Sequence, residues 1–170
     1  MDLFDAVKNR RSIRKYKPQD IPKEKIDKII EAAAWAPSAG NLQARDYIMV
    51  QDKSVKNKLC EAAHNQEFIN RAPLVIVVCA NTLKSGRHYG NRGMELYSNQ
   101  DSAAAIQNML LAAYSLGLSS CWVGAFDEQK VRETLSIPEH AIPVALLPIG
   151  IPDESPRPPA RKPEVHKEKW

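Results

Sequence analysis

The sequence predicts an α+β fold in which helices flank a central sheet. Helical periodicity dominates the first part of the chain, and strand-like and helix-like segments alternate irregularly after it. That order is typical of an α+β domain. With 170 residues, 44% of them hydrophobic, the chain is long enough to bury a core of its own. We expect residues 1–170 to form one domain, with 151–170 as an extended C-terminal tail.

Caps, breakers and apolar spacing predict the individual elements. Asp2 is a suitable N-cap for the first helix, and Pro22 and Pro37 bound the second. The run LVIVVCA is short and rich in β-branched residues, which indicates a buried strand. In chain order, we predict a helix at 2–9, a helix between 22 and 37, a strand at 46–51, a helix at 53–63, a strand at 74–80, a helix at about 99–116, a strand at 119–125, a helix at 127–135 and a strand at 143–150.

Residues 81–98 are polar and contain Gly86, Gly90 and Gly93, so we predict a loop there. Part of this segment, SGRHYGNRG at 85–93, combines glycines with arginines and could cradle a phosphate. It matches no defined phosphate-binding motif. A mobile lid beside the substrate, or a plain surface loop, is the preferred interpretation.

The C-terminal tail and an alanine stripe both favour a second copy of the chain. Residues 151–170 hold five of the twelve prolines, so they cannot form a helix and have little to bury. They are either disordered or laid across another surface. The predicted helix at 99–116 carries alanines that permit close packing, in the core or at a dimer seam: Ala103, Ala104, Ala105, Ala112 and Ala113. We therefore expect a homodimer that exchanges the tail across its two-fold axis.

Charge and cysteine use bound the cellular setting. The net charge is +4 and the pI about 9.0, which is compatible with anionic ligands but specific to none. Cys60, Cys79 and Cys121 are scattered and form no CxxC pair, which fits reduced thiols. The N-terminus lacks the apolar core of a signal peptide, and no apolar run approaches the roughly 20 residues that span a bilayer. We expect a soluble, cytoplasmic protein without a membrane partner.

Several common chemistries lack their motifs in this chain. No GxGxxG follows a strand, and no Walker A loop is present. Each of the four histidines stands without a carboxylate or cysteine at ligand spacing, so we expect no metal site. Cys121 belongs to an apolar strand, and we expect no helix N-terminus or cation near it, which favours a buried, inert thiol.

The basic segment NRRSIRKYKPQ at 9–19 is the most distinctive local feature. A run of cations is usually a solvated face, but Ser12 and Ile13 interrupt this one, and Tyr16 and Pro18 favour extended backbone. Extended backbone presents side chains in different directions, so an anion could lie between the cations. A small nucleic-acid-binding protein would need exposed aromatics on its basic face or a recognition helix. Only 6% of the residues are aromatic, so we disfavour nucleic acid as the partner.

Five polar segments lie just outside apolar elements: RRSIR at 10–14, PSAGNLQ at 37–43, HNQ at 64–66, WVGA at 122–125 and ARKP at 160–163. In this order and at these intervals they resemble the FMN-dependent nitroreductase family, over nearly the whole chain. RRSIRKY and APSAGNLQ are the most specific parts of the resemblance. Many members have Pro-Trp after the glutamine, whereas this chain has Ala44 and Arg45.

The resemblance implies a nitroreductase-like fold with a mostly antiparallel sheet, a homodimer and bound FMN. Arg10, Ser12 and Arg161 would hold the FMN phosphate, because a guanidinium donates paired, charge-assisted hydrogen bonds. Arg14 would lie near the N1/O2 edge of the flavin, where a cation raises the flavin's electron affinity. The implied cofactor-binding residues are Arg10, Arg11, Ser12, Arg14, Pro37, Ser38, Ala39, Asn41, Gln43, Asn65, Val123, Gly124 and Arg161.

Two further groups of these residues have implied roles. Asn65 corresponds to a residue that hydrogen-bonds the pyrimidine edge of the flavin, and the backbone around Gly124 would lie near the flavin N5. Ser38, Asn41 and Gln43 match a segment that contacts the flavin from the partner subunit. The site would therefore be completed by two copies of the chain.

The activity implied by the resemblance is reduction of nitroaromatic, quinone or similar flat acceptors by NADH or NADPH. No catalytic side chain is needed, because the flavin N5 accepts the hydride, and donor and acceptor would use one site in turn, in a ping-pong mechanism. A flavin-binding protein with little reductase activity is the alternative. The preferred nicotinamide stays open, since Arg45, Arg87 and Arg92 could each meet a 2′-phosphate.

Overall fold

The computed structural model describes all 170 residues and contains four β-strands. They are β1 (Arg45–Val50), β2 (Leu74–Asn81), β3 (Ser119–Ser120) and β4 (Ala141–Gly150). The strands form one antiparallel sheet in the order β1-β2-β4-β3, so the two longest strands lie in its middle. The predicted α+β class and the antiparallel central sheet are confirmed.

Seven α-helices flank the sheet: α1 (Leu3–Asn9), α2 (Lys23–Ala34), α3 (Lys53–Ala62), α4 (Phe68–Arg71), α5 (Thr82–Arg92), α6 (Ser98–Ser115) and α7 (Glu128–Leu135). All five predicted helices are confirmed, with small differences at their ends. The predicted cap is confirmed as well, since the Asp2 carboxylate accepts a hydrogen bond from the Phe4 amide at 2.8 Å. The single-turn helix α4 was not predicted. No helix has both the length and the apolar character needed to cross a membrane.

The prediction of a loop at 81–98 is wrong, because most of this segment is helical. The Asn81 side chain caps α5 by accepting from the Lys84 amide at 3.0 Å, and a π-helical turn, Gly93–Tyr97, follows α5. Gly90 breaks the helix with φ 57° and ψ −145°, a conformation open essentially to glycine alone. A Cβ on Gly93 would lie 2.5 Å from the Ser85 carbonyl oxygen. The glycines therefore serve a sharp reversal and a close helix contact.

The strand predicted at 119–125 is too long, because regular pairing stops after Ser120. The register nevertheless continues, since Val123 forms an isolated bridge with Leu146 and its amide donates to the Leu146 carbonyl at 3.0 Å. Between these points Cys121 lies opposite Pro148 and donates to its carbonyl at 3.3 Å. Proline has no N–H to return the bond, so the ladder is interrupted there.

The core consists of two apolar clusters, one on each face of the sheet. Successive residues of β2 face opposite sides: Ile76 and Val78 join the cluster under α2 and α6, while Val75 and Val77 join the cluster under α3 and α7. All four are fully buried. Burial on both faces explains why β2 reads as an unbroken apolar run rather than an alternating one.

The first part of the tail is laid along the chain's own N-terminal segment. The Lys17 amide donates to the Ile151 carbonyl at 3.0 Å, and the Asp153 amide donates to the Lys15 carbonyl at 3.0 Å. Beyond residue 154 the chain forms no helix or strand and is exposed. Any exchange of the tail between subunits would therefore involve its distal part only.

Candidate functional site

The basic segment 10–14 is extended and lies beside β3. Ile13 donates its amide hydrogen to the Ser120 carbonyl at 3.0 Å, and its side chain is buried. Side chains alternate along extended backbone, which places Arg10, Ser12 and Arg14 on the face opposite Ile13. All three lie close enough to the Cys121 thiol to affect its pKa. The structure thus gathers these three polar side chains on one face.

The arginines at this face have no carboxylate partner. The chain contains two ion pairs, Lys23–Asp27 and Arg132–Glu128, and neither is near the basic segment. Burial lowers the pKa of Arg10 from its ordinary value, and the positive charges of Arg161 and Arg11 lower it further. Arg161, far away in sequence, therefore lies close enough for its charge to act on Arg10. Like charges held together without a counter-ion are unfavourable, and a bound anion would relieve the repulsion.

Arg11 lies beside Arg10, close enough for its charge to lower the pKa of Arg10. Its Nη1 donates to the Lys8 and Arg10 carbonyl oxygens, both at 2.7 Å, and its Nε is buried without a partner. Arg11 and Arg10 together line a cavity of about 190 Å³ between the end of α1, the end of α6 and the start of the tail. The other lining residues include Tyr114, Ser120, Glu154 and Pro156. The Glu154 carboxylate accepts from the amides of Arg14 (2.6 Å) and Lys15 (3.2 Å), so backbone groups hold its charge.

Arg14 connects the basic segment to the turn at 64–66. Its guanidinium lies over the Phe68 ring, 5.7 Å from the ring centroid, in a cation–π arrangement. The turn before Phe68 places Asn65 in the left-handed region, with φ 59°, and leaves the residue exposed. The Gln66 amide group donates to the Ala125 carbonyl at 3.2 Å, which ties this turn to the segment containing Gly124.

Seven of the predicted site residues therefore follow one continuous edge of the chain: Arg10, Ser12, Arg14, Asn65, Val123, Gly124 and Arg161. Val123 is buried by its pairing with β4, whereas Gly124 is exposed, and a Cβ there would meet nothing closer than 4.0 Å. Phe68 and Gln66 were not predicted to contribute.

The segment Pro37–Gln43 lies elsewhere and has an unusual backbone. Gly40, Asn41 and Gln43 all have φ between 52° and 57°. The Ser38 hydroxyl oxygen accepts from the Gln43 amide at 2.9 Å, and the Ala39 amide donates to the Asp101 carboxylate at 2.9 Å. Asn41 and Gln43 are exposed, and Pro37 is exposed beside them. The segment presents its polar side chains outward.

One chain does not bring the two halves of the predicted site together. The segment 37–43 contacts α6 at Asp101, while the basic segment shares its cavity with Tyr114 near the other end of α6. Thirteen residues of helix separate these points by about 20 Å. No cavity in the chain is lined by residues of both segments.

The three cysteines are free, buried thiols. Burial raises the pKa of Cys79 to about 12. Burial also raises the pKa of Cys121, and it outweighs the opposing effect of nearby Arg14 and Arg10. The sequence-based statement that no cation lies near Cys121 is wrong, since folding brings both arginines to it. The interpretation as an unreactive thiol agrees with the raised pKa.

Comparison with known proteins identifies the family. A model of the nitroreductase family matches residues 7–66 and 61–151, and the chain belongs to this family. A protein of Methanothermobacter thermautotrophicus described as an NADH dehydrogenase/NAD(P)H nitroreductase is 36% identical over all of this chain and 88% of its own length. An FMN reductase [NAD(P)H] of Bacillus subtilis is 33% identical over 98% of this chain and 71% of its own. The structure of the NfrA1 nitroreductase from B. subtilis superposes with a TM-score of 0.92 at 29% identity, covering 99% of this chain and 74% of that one.

Proposed function

We propose that this protein is an FMN-dependent oxidoreductase that uses NAD(P)H to reduce flat acceptors such as nitroaromatics or quinones. Membership of the nitroreductase family and a relative named FMN reductase [NAD(P)H] support the proposal. The single observation that carries it is the grouping of Arg10, Ser12 and Arg14 on one face of the basic segment, where no carboxylate forms an ion pair with either arginine and the charge of Arg161 also acts on Arg10. That cluster has the charge and the donor groups that a phosphate ester requires.

The residues of the continuous edge would bind different parts of the cofactor. Arg10, Ser12 and Arg161 would bind the phosphate, and Arg14 and Asn65 would bind polar atoms of the ring. Phe68 holds the Arg14 guanidinium in place by stacking beneath it. Bound FMN supplies hydride transfer between a nicotinamide and an electron acceptor. The open space above Gly124 would admit these flat substrates.

The proposed active form is a homodimer in which Ser38, Asn41 and Gln43 of a second copy complete each site. The separation of the two segments along α6 supports this arrangement. Apolar surface on the same side of the chain supports it too: Trp35 is 81% exposed and, with Leu3 and Leu111, lines an open groove of about 440 Å³ between α1, α2 and α6. Apolar surface of this kind is typical of an interface between subunits.

Donor and acceptor would occupy the same space in turn. Gly124 is exposed beside the turn that carries Asn65, so this edge offers donor and acceptor a common open face. Of the three arginines considered for a 2′-phosphate, Arg45 is excluded because it is buried and fully engaged with backbone carbonyls. Arg92 is held by Tyr97, whose hydroxyl accepts from its Nε at 2.9 Å. Arg87 is exposed and is the remaining candidate.

An absorbance spectrum of the purified protein, followed by anaerobic titration, tests the proposal. We expect one flavin per chain, bleaching of its visible bands by NADH or NADPH, and recovery of the bands when a nitroaromatic or quinone is added. A protein that binds no FMN would overturn the proposal. Bound flavin that neither nicotinamide bleaches would support a flavin-binding protein without reductase activity instead.

A further inference from the structure

Arg45, the first residue of β1, is a buried cation with an exceptional number of backbone contacts. Only 6% of its surface is exposed. Its guanidinium donates to five carbonyl oxygens: those of Ala33 (3.1 Å), Ala34 (3.3 Å), Ala36 (2.8 Å), Pro37 (3.1 Å) and Asp101 (2.9 Å). Two of these carbonyls, those of Ala33 and Ala34, end α2, where carbonyl groups lack partners within the helix, and that of Ala36 follows just beyond it. The arginine therefore places its charge at the negative end of the helix dipole.

This arrangement depends on the shape of the guanidinium. No carboxylate forms an ion pair with Arg45, so its charge is held mainly by backbone carbonyls. Two of its nitrogens divide the five acceptors: Nη1 binds Pro37 and Asp101, and Nη2 binds Ala33, Ala34 and Ala36. A lysine presents its donors from one nitrogen and cannot reach acceptors on both sides.

Arg45 also closes the segment Pro37–Gln43 at both ends. Its side chain binds the carbonyl of Pro37, the first residue of the segment, at 3.1 Å. Its backbone amide donates to the carbonyl of Gln43, the last residue, at 2.8 Å. The Arg45 guanidinium also donates to the Asp101 carbonyl, which attaches it to α6. The Asp101 carboxylate in turn accepts from the Ala39 amide in the middle of the segment.

The backbone inside this closed segment would not keep its shape unaided. Asn41 and Gln43 both have positive φ, which residues other than glycine adopt only when their surroundings require it. The hydrogen bonds made by Arg45 and Asp101 hold the segment in this conformation. Their effect is to leave Asn41 and Gln43 exposed, while the Ser38 hydroxyl accepts from the Gln43 amide within the segment.

We propose that Arg45 is a positioning residue, which holds Pro37–Gln43 in the conformation that contacts the flavin bound to a second copy of the chain. This inference rests on the proposed function. It assigns to Arg45 an effect on cofactor binding that is separate from its contribution to stability. The residue itself does not touch the cofactor.

Arg45→Met and Arg45→Lys test this role, with Arg132→Met as the matched control. Arg132 also bonds backbone carbonyls, at Pro138 (3.0 Å) and Glu139 (3.5 Å), but at the far end of α7 from the segment. For each variant, the dissociation constant of FMN, the visible circular dichroism of bound flavin and the thermal midpoint with and without FMN are measured. These readouts separate flavin binding from general stability.

We expect Arg45→Met to weaken FMN binding about tenfold or more and to alter the visible dichroism of the flavin. Arg132→Met should lower the thermal midpoint while leaving both flavin signals unchanged. Arg45→Lys should weaken FMN binding as Arg45→Met does, because lysine keeps the charge but lacks the planar guanidinium with donors on two nitrogens. If Arg45→Met does not fold, the lysine variant decides the question alone.

Wild-type FMN affinity and dichroism in the folded Arg45 variants would overturn the positioning role. If Arg10→Ala still weakens FMN binding in that case, the proposed function stands and only this inference fails. A wild-type protein that binds no FMN would overturn both.

Discussion

Replacing Arg10 or Arg161 with alanine should weaken FMN binding. Replacing Arg161 should do so without lowering the stability of the apoprotein. A hydrogen bond to a charged group is worth about 1.5–3 kcal/mol, so loss of either arginine should raise the FMN dissociation constant about 10-fold to 150-fold. In the free protein the same arginines repel each other, since Arg161 and Arg11 both lower the pKa of Arg10. Removing Arg161 relieves that repulsion, so the apoprotein should be at least as stable as wild type.

Fluorescence titration with FMN and urea unfolding of the apoprotein measure the two effects. Arg157→Ala is the control, because Arg157 is an exposed arginine of the same tail that makes no hydrogen bond or ion pair. The losses from Arg10→Ala and Arg161→Ala should also shrink at high salt, which screens the phosphate contact. Wild-type affinity for FMN in both Arg10→Ala and Arg161→Ala would refute the phosphate site. A loss of affinity equal to that of Arg157→Ala would refute a specific contact with Arg161.

Three further predictions follow from the same structure. Sedimentation should show a dimer at low micromolar concentration, and mixing Arg10→Ala chains with Asn41→Ala chains should restore about a quarter of the sites, since each mixed dimer regains one intact site; a monomer carrying one equivalent of FMN would contradict this. Steady-state kinetics should give parallel double-reciprocal lines with competitive inhibition by excess substrate, whereas intersecting lines would indicate a ternary complex and a second site. Gly90→Ala should lower the free energy of unfolding by about 1–3 kcal/mol, because φ 57° with ψ −145° excludes a side chain although nothing lies within 4 Å of the new Cβ; denaturant unfolding at the wild-type value would show that the reversal relaxes without cost.

The elements that the sequence predicted well are those in which local pattern and tertiary packing agree. β2 is buried on both faces, so its apolar run required no knowledge of its neighbours. The prediction for 81–98 was wrong for the opposite reason, because the local pattern of this segment and its tertiary packing disagree. Its glycines signal a loop by composition, yet Gly93 is there to let Ser85 approach closely, and that contact exists only after the chain has folded back.

The site shows the same division between local and distant information. The segments at 10–14 and 37–43 are recognisable because each carries its polar residues within a few positions. The approach of Arg161 to Arg10 depends on the path of the tail, and the stacking of Phe68 under Arg14 depends on α4. Arg45 is the clearest case, since a charged residue at the start of a strand is usually exposed, and only the folded chain surrounds it with carbonyls.

The length of α6 accounts for the distance between the two segments that the proposed site would combine. The segment 37–43 meets this helix at Asp101, and the basic segment lies beside Tyr114, about 20 Å further along. If two copies pair about a two-fold axis with their α6 helices antiparallel, the Asp101 end of one copy lies beside the Tyr114 end of the other. Each basic segment then faces the partner's exposed Asn41 and Gln43, and both sites form at once. The alanines are consistent with this pairing, because Ala105 and Ala113 face the core of their own chain while Ala103, Ala104 and Ala112 remain partly exposed.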